Sequence, residues 1–95
     1  MHRRWFNRYQ AFLAQIGFFS AFEKERKRYI EEYGYNNHRA GHAAIHVVAP
    51  TFHLQVQVEA IPKGDGPLEL SEFLAHLRWW FDTYGQHEEE EPEEE

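Results

Sequence analysis

The chain contains no cysteine in its 95 residues. That absence excludes disulfide staples, thiolate zinc sites and a cysteine nucleophile. No apolar run reaches the ~18 residues of a membrane-spanning helix, so no membrane partner is expected. Serine is almost missing as well. Ser20 and Ser71 stand where helix caps are expected and neither is framed by glycines, which excludes a nucleophile elbow. No carboxylate pair stands out for acid–base work, and Lys63-Gly64-Asp65-Gly66 lacks phosphate-loop and dinucleotide spacing and reads as a turn.

What is present is a core. The chain is 42% hydrophobic and 17% aromatic, too apolar for disorder, and below about 100 residues a second core is not expected. The net charge of −6 comes from the end of the chain, where Glu88 to Glu91 and Glu93 to Glu95 supply seven negatives. Residues 1–86 are therefore expected to form one near-neutral domain. Residues 87–95 are an acidic tail expected to be disordered, because like charges repel and stay solvated. Arg3-Arg4-Trp5-Phe6 followed by the apolar 11–19 stretch has the outline of a secretory or twin-arginine signal. Gln15 interrupts it and no small-x-small cleavage pattern follows, so an uncleaved helix and a cytoplasmic location are expected.

Helical periodicity places Trp5, Phe6, Tyr9, Phe12, Leu13, Ile16 and Phe19 on one arc, and Phe22, Tyr29, Ile30 and Tyr33 on another rotated by about 80°. One straight helix cannot bury both. Gly17 as a C-cap and Ser20-x-x-Glu23 as a capping box predict a first helix over 3–16 and a second over 21–33 that ends at Gly34. Leu70, Phe73, Leu74, Leu77, Trp80, Phe81 and Tyr84 form the stripe of a last helix capped by Ser71. Trp79 and His76 lie on its other face as candidates for a partner surface.

Residues 42–60 read differently. Phe52, Leu54, Val56, Val58 and Ala60 alternate with polar residues, and Ala43, Ile45 and Val47 alternate less cleanly before Pro50. This period of two predicts an antiparallel hairpin with Val47 opposite Phe52 and His46 opposite His53. The expected fold is thus α+β, in the order α-α-β-β-α. A lone hairpin leaves two open edges, so the sheet is expected to extend across a homo-oligomer interface. A third strand from 12–19 or 61–69 is the monomeric alternative.

Seven histidines raise the question of chemistry. His38, His42 and His46 would form a ligand stripe on a helix, but on a strand four residues span about 13 Å and cannot share an ion. The cross-strand pair His46/His53, with His42 as a further candidate, is the expected site for a divalent transition metal if one binds. No other cofactor is expected. Arg4, Arg8, Lys24, Lys27 and Arg28 could meet nucleic-acid phosphates, although Glu23, Glu25, Glu31 and Glu32 dilute that field.

Two short resemblances accompany these residues. Phe52-His53-Leu54-Gln55 resembles the histidine strand of rolling-circle replication initiators, yet no tyrosine here has a lysine three residues on. The predicted element order is similar to that of pterin carbinolamine dehydratases, but Asn37-His38-Arg39 stands where that family carries His-His-Pro. Neither activity carries over. The expected function is a small non-catalytic oligomeric binding or accessory protein, with a protein partner, acting through aromatic and sheet surfaces. The alternatives are a metal-dependent or acid–base enzyme centred on His46/His53 and a nucleic-acid-binding module on the basic N-terminal helices.

Overall fold

Trp5, Phe6, Tyr9 and Leu13 recur at helical spacing and are buried together on the first helix, α1 (His2–Gln15). Gly17, in a left-handed conformation with φ of 88°, breaks the chain before α2 (Phe18–Tyr33) begins. A side chain at that φ would be strained, and the turn brings Phe18 and Phe22 of α2 into the core that Trp5, Phe6, Tyr9 and Leu13 of α1 enter, while Tyr33 at the far end of the second stripe stays exposed. Gly34 ends α2 in the same conformation. The Asn36 side chain then caps α3 (Asn37–Ala60) by accepting the Arg39 amide at 2.8 Å. A 3₁₀ turn (Ile61–Lys63) and a loop lead to α4 (Leu70–Trp80), which ends in a π-helical turn (Phe81–Gly85). The computed structural model describes residues 1–85, so the acidic segment over 87–95 lies outside the described residues.

The α+β expectation is overturned. Among the described residues there is no strand, and the segment expected to be a hairpin is one helix of 24 residues. The alternation in 52–60 conceals a helical stripe. Ala44, Ile45, Val48, Ala49, Val56 and Ala60 are buried, whereas Leu54 and Val58, which the strand reading placed beside Val56, are exposed. The β-branched residues favour strands only weakly, and burial on a second helix overrides that preference. Pro50 lies inside α3 and not at a turn. Proline removes one backbone hydrogen bond, but His46 and Pro50 are both exposed, so the interruption falls on the solvent side. With the sheet go the sheet surfaces and the open edges that called for an oligomer. The third-strand alternative goes too, since 12–19 is helical apart from the turn at Gly17 and 61–69 is the 3₁₀ turn and loop.

Packing is dominated by rings. Phe18 meets Phe52 edge-on at 5.7 Å between α2 and α3, and Phe22 meets Trp80 at 5.3 Å and Phe81 at 5.7 Å between α2 and α4. Phe6 stacks on Trp80 at 5.7 Å, and Trp5 meets Phe73 at 6.0 Å, which fixes α1 on α4. One buried cation ties the first half together: Arg26 donates to Glu23 on its own helix and to Asn37 at the start of α3.

The start of α3 and the end of α4 approach closely at Gly41. A methyl group at Gly41 would lie 2.2 Å from the buried Phe81 ring, so only glycine admits that ring. Overpacking of this kind costs about 1–3 kcal/mol, more than the ~1 kcal/mol an alanine gains in helix propensity. Gly41→Ala should lower stability by about 1–2 kcal/mol in urea unfolding, and adding Phe81→Leu should restore part of the loss. An unchanged midpoint would show that the ring can move aside.

Candidate functional site

A concavity of about 680 Å³ lies between the start of α1, the loop after α3 and the start of α4. Its floor is the Gly64–Leu68 loop, and the loop is held by its backbone. Leu68 N–H donates to the Gln57 side chain at 2.7 Å, and the Leu68 carbonyl accepts from His53 Nε2 at 2.6 Å. Both side chains come from α3, one turn apart. Further along, the Asp65 amide reaches the Ala60 carbonyl at 3.0 Å, with Gly64 supplying a left-handed φ of 84°.

The walls combine rings and charges. Trp5 and His76 lie parallel, with centroids 4.4 Å apart and planes within 6°. His76 Nδ1 is 2.9 Å from His2 Nδ1, a spacing at which one proton serves the pair. Burial is the main reason His76 is pushed down to about 4. His2 and the amino terminus act in the same direction, and Glu72 opposes them. His76 is therefore a neutral imidazole at physiological pH, a hydrogen-bonding group and not a resident cation. The Trp5 indole N–H is buried and has no acceptor among the described residues.

The charged groups are unequally occupied. Asp65 accepts a short hydrogen bond from Tyr9 and lies 3.5 Å from the Arg8 guanidinium. Burial, and then this carboxylate, push the Tyr9 phenol up to about 12, so it remains a donor. Glu72 accepts the Glu69 amide at 2.9 Å and so closes the capping box of α4. Arg4 also lines the cavity and is exposed, with no ion pair among the described residues. Among the described residues the lining holds no serine, threonine, lysine or cysteine, and its carboxylates are Asp65 and Glu72.

Several residues singled out from the sequence meet here and others do not. Arg4, Arg8 and His76 line the cavity together, and Trp79, half-buried, packs at its edge 6.4 Å from His2 and 6.5 Å from Phe6. The α4 face expected to be free for a partner is thus covered by α1. Lys24, Lys27 and Arg28 lie on α2 away from this lining, and Arg28 is engaged by Glu25 and Glu32. The cross-strand pair His46/His53 does not form. On a helix the two stand seven residues apart, about 10.5 Å along the axis, and His53 is occupied by the Leu68 carbonyl and the Phe73 ring. His46 is exposed, and His42 instead donates from Nε2 to Asp82 at 2.8 Å. His2 and Trp5 were not singled out as site residues. No spacing links them to His76, since the contact joins the two ends of the chain.

The His76 environment has a pH consequence. In the unfolded chain an imidazole takes a proton below about 6.5, whereas folded His76 stays neutral until about 4. Its contribution is neutral to stability above that upper value and turns unfavourable as pH falls through the window between the two. Urea unfolding at pH 7 and pH 4.5 should show a loss on the order of 2 kcal/mol attributable to this residue. His76→Phe should remove that part of the pH dependence, and an unaltered dependence would place the buried proton acceptor elsewhere. Compared with models of known protein families, with curated proteins and with solved structures, the chain shows no match, so what the site does must be taken from its own geometry.

Proposed function

We propose that the chain is a small non-catalytic binding module of the cytoplasm. Its ligand would be a planar ring bearing an anionic group, held in the cavity between α1, the Gly64–Leu68 loop and α4. The observation that carries this is the wall itself: a stacked Trp5–His76 pair with an unmatched indole N–H, beside an Arg4 that has no internal ion pair. An unpaired buried donor costs about 1–3 kcal/mol, which a ligand acceptor recovers. Arg8 lies 3.5 Å from Asp65, so Arg4 is the lining arginine with no ion pair among the described residues. The lining carboxylates Asp65 and Glu72 are held by Tyr9 and by the Glu69 amide, which favours binding over covalent chemistry. No helix of the described residues is long and apolar enough to cross a membrane.

Phenyl phosphate and benzoate are suitable probes, with benzyl alcohol as the neutral control. At this size a dissociation constant of about 1 mM is expected. The Trp5 indole N–H resonance should shift saturably in ¹H–¹⁵N spectra. Arg4→Gln should weaken the anions about fivefold or more and leave the alcohol unchanged, the discrimination lost with one charged hydrogen bond. Equal affinity for anion and alcohol, or no saturable shift, would sink the proposal.

A second reading concerns self-association, and a different face supports it. Val47, Leu54, Val58 and Ile61 are 46%, 74%, 67% and 50% exposed, and with Thr51 they follow a 4-3-4-3 spacing along α3 and the turn after it. That is the spacing of a seam between two helices, and the neighbouring Gln55 and Gln57 bring no like-charge repulsion against a second copy. Sedimentation at increasing concentration should show a dimer that Leu54→Glu abolishes. A monomer throughout, at hundreds of micromolar, would reject it.

A further inference from the structure

Away from the cavity, the beginning of α3 and the end of α4 bring three ligating side chains together. His38 and His42 stand one helical turn apart, about 6 Å along the axis, with rings stacked at 4.5 Å. Asp82 faces both: its Oδ1 lies 2.8 Å from His42 Nε2 and 3.8 Å from His38 Nε2. One ligand atom from each residue can be chosen so that all three lie within 4.8 Å of one another.

We propose that His38, His42 and Asp82 form a binding site for a divalent transition-metal ion with a preference for imidazole, of the zinc and nickel class. Two imidazoles and one carboxylate are a donor set such ions accept, and two histidines four residues apart on one helix are a known way to present it. With metal–ligand bonds of about 2.0–2.2 Å, donor atoms around a tetrahedral ion lie roughly 3.4 Å apart, so the observed spacings need only small rotations of the side chains. Three protein ligands leave at least one position for water or a further ligand.

The frame that holds the three residues is firmer than an exposed cluster alone would have. Asp82 follows Phe81, whose buried ring is seated on the bare backbone of Gly41, between the two histidines. The same ring meets His42 edge-on at 5.9 Å. The packing that closes the core therefore sets the distance between Asp82 and the histidine pair, so the carboxylate is held in place before any ion arrives. On binding, the ion takes the place of the proton that His42 Nε2 donates to Asp82. When a neutral His42 binds the ion through Nε2, its single hydrogen passes to Nδ1 by exchange with water, so the tautomer changes with no net proton released, and the Asp82 oxygen changes from hydrogen-bond acceptor to ligand.

The test uses the full chain titrated with Zn²⁺ and Ni²⁺ by calorimetry, with Ni²⁺-induced broadening of amide signals to locate the ion. One ion per chain is expected, with broadening centred on residues 38–42 and 81–83. His42→Ala and Asp82→Asn should each weaken binding at least about tenfold, the smaller end of what even an outer partner of a metal ligand costs. His46→Ala, an exposed histidine on the same helix, should bind as the parent does. His38 is 58% exposed, so His38→Ala keeps the test decisive if either of the other variants unfolds. Broadening centred on His2 and His76 or on the acidic end of the chain, or affinity unchanged in all three ligand variants, would overturn the proposal.

Discussion

The burial of α4 on two sides is the constraint on which the rest depends. An 11-residue helix is too short to be stable alone, so its form comes from its neighbours. On one side Phe73 stacks on His53 and Phe81 seats on Gly41, both from α3; on the other, His76 and Trp80 are covered by Trp5 and Phe6 of α1. A residue on the second side must be flat and apolar enough for a ring to lie on it. Histidine meets that demand only when neutral, which is why the same burial that closes the fold also suppresses the charge of His76. Packing and electrostatics at the cavity wall are one fact.

Much of this was legible in the sequence, and the part that was not has a definite cause. The stripes of α1, α2 and α4 have a period of 3.6, and Gly17 and Gly34 punctuate them where the chain turns. The predicted caps fared less well. Ser20 and Ser71 lie inside helices, and Gly17 and Glu69 hold the cap positions. Residues 42–60 misled because every second residue from 52 to 60 is apolar, and Phe52, Val56 and Ala60 belong to a strand face and to a helix face alike. Leu54 and Val58 tip the pattern towards the strand only if they are assumed to be inside. They are outside, on a surface that a pattern of burial cannot reveal. Pro50 reinforced the error, because proline ends most helices and the exposed position that lets α3 continue is not visible in the sequence.

The histidines followed the same logic. The spacing of four between His38 and His42 carries meaning only on a helix, and the strand pattern of 42–60 hides it. No periodicity connects residue 82 to residue 42, so Asp82 joins the pair only in the folded chain. In the sequence the cavity residues stand apart: Arg4 and Arg8 belong to a basic third, and His76 shares a helix face with Trp79. What unites them is the closure of α1 on α4, a contact between the first and last helices that only the folded chain displays.

The attachment of Leu68 carries one last implication. Its amide and its carbonyl are both bound by side chains of α3, so this stretch, irregular in form, moves as an extension of that helix. Loops usually absorb added residues with little harm, because each doubling of length costs only about 0.6 kcal/mol of closure entropy. Here lengthening would be felt at once, since an insertion between Gly64 and Leu68 would shift the backbone out of register with Gln57 and His53. Evolutionary or engineered change in this protein should therefore find its freedom on the far side of Gly17 and at the surface of α2, and not in the segment that looks most like a connector.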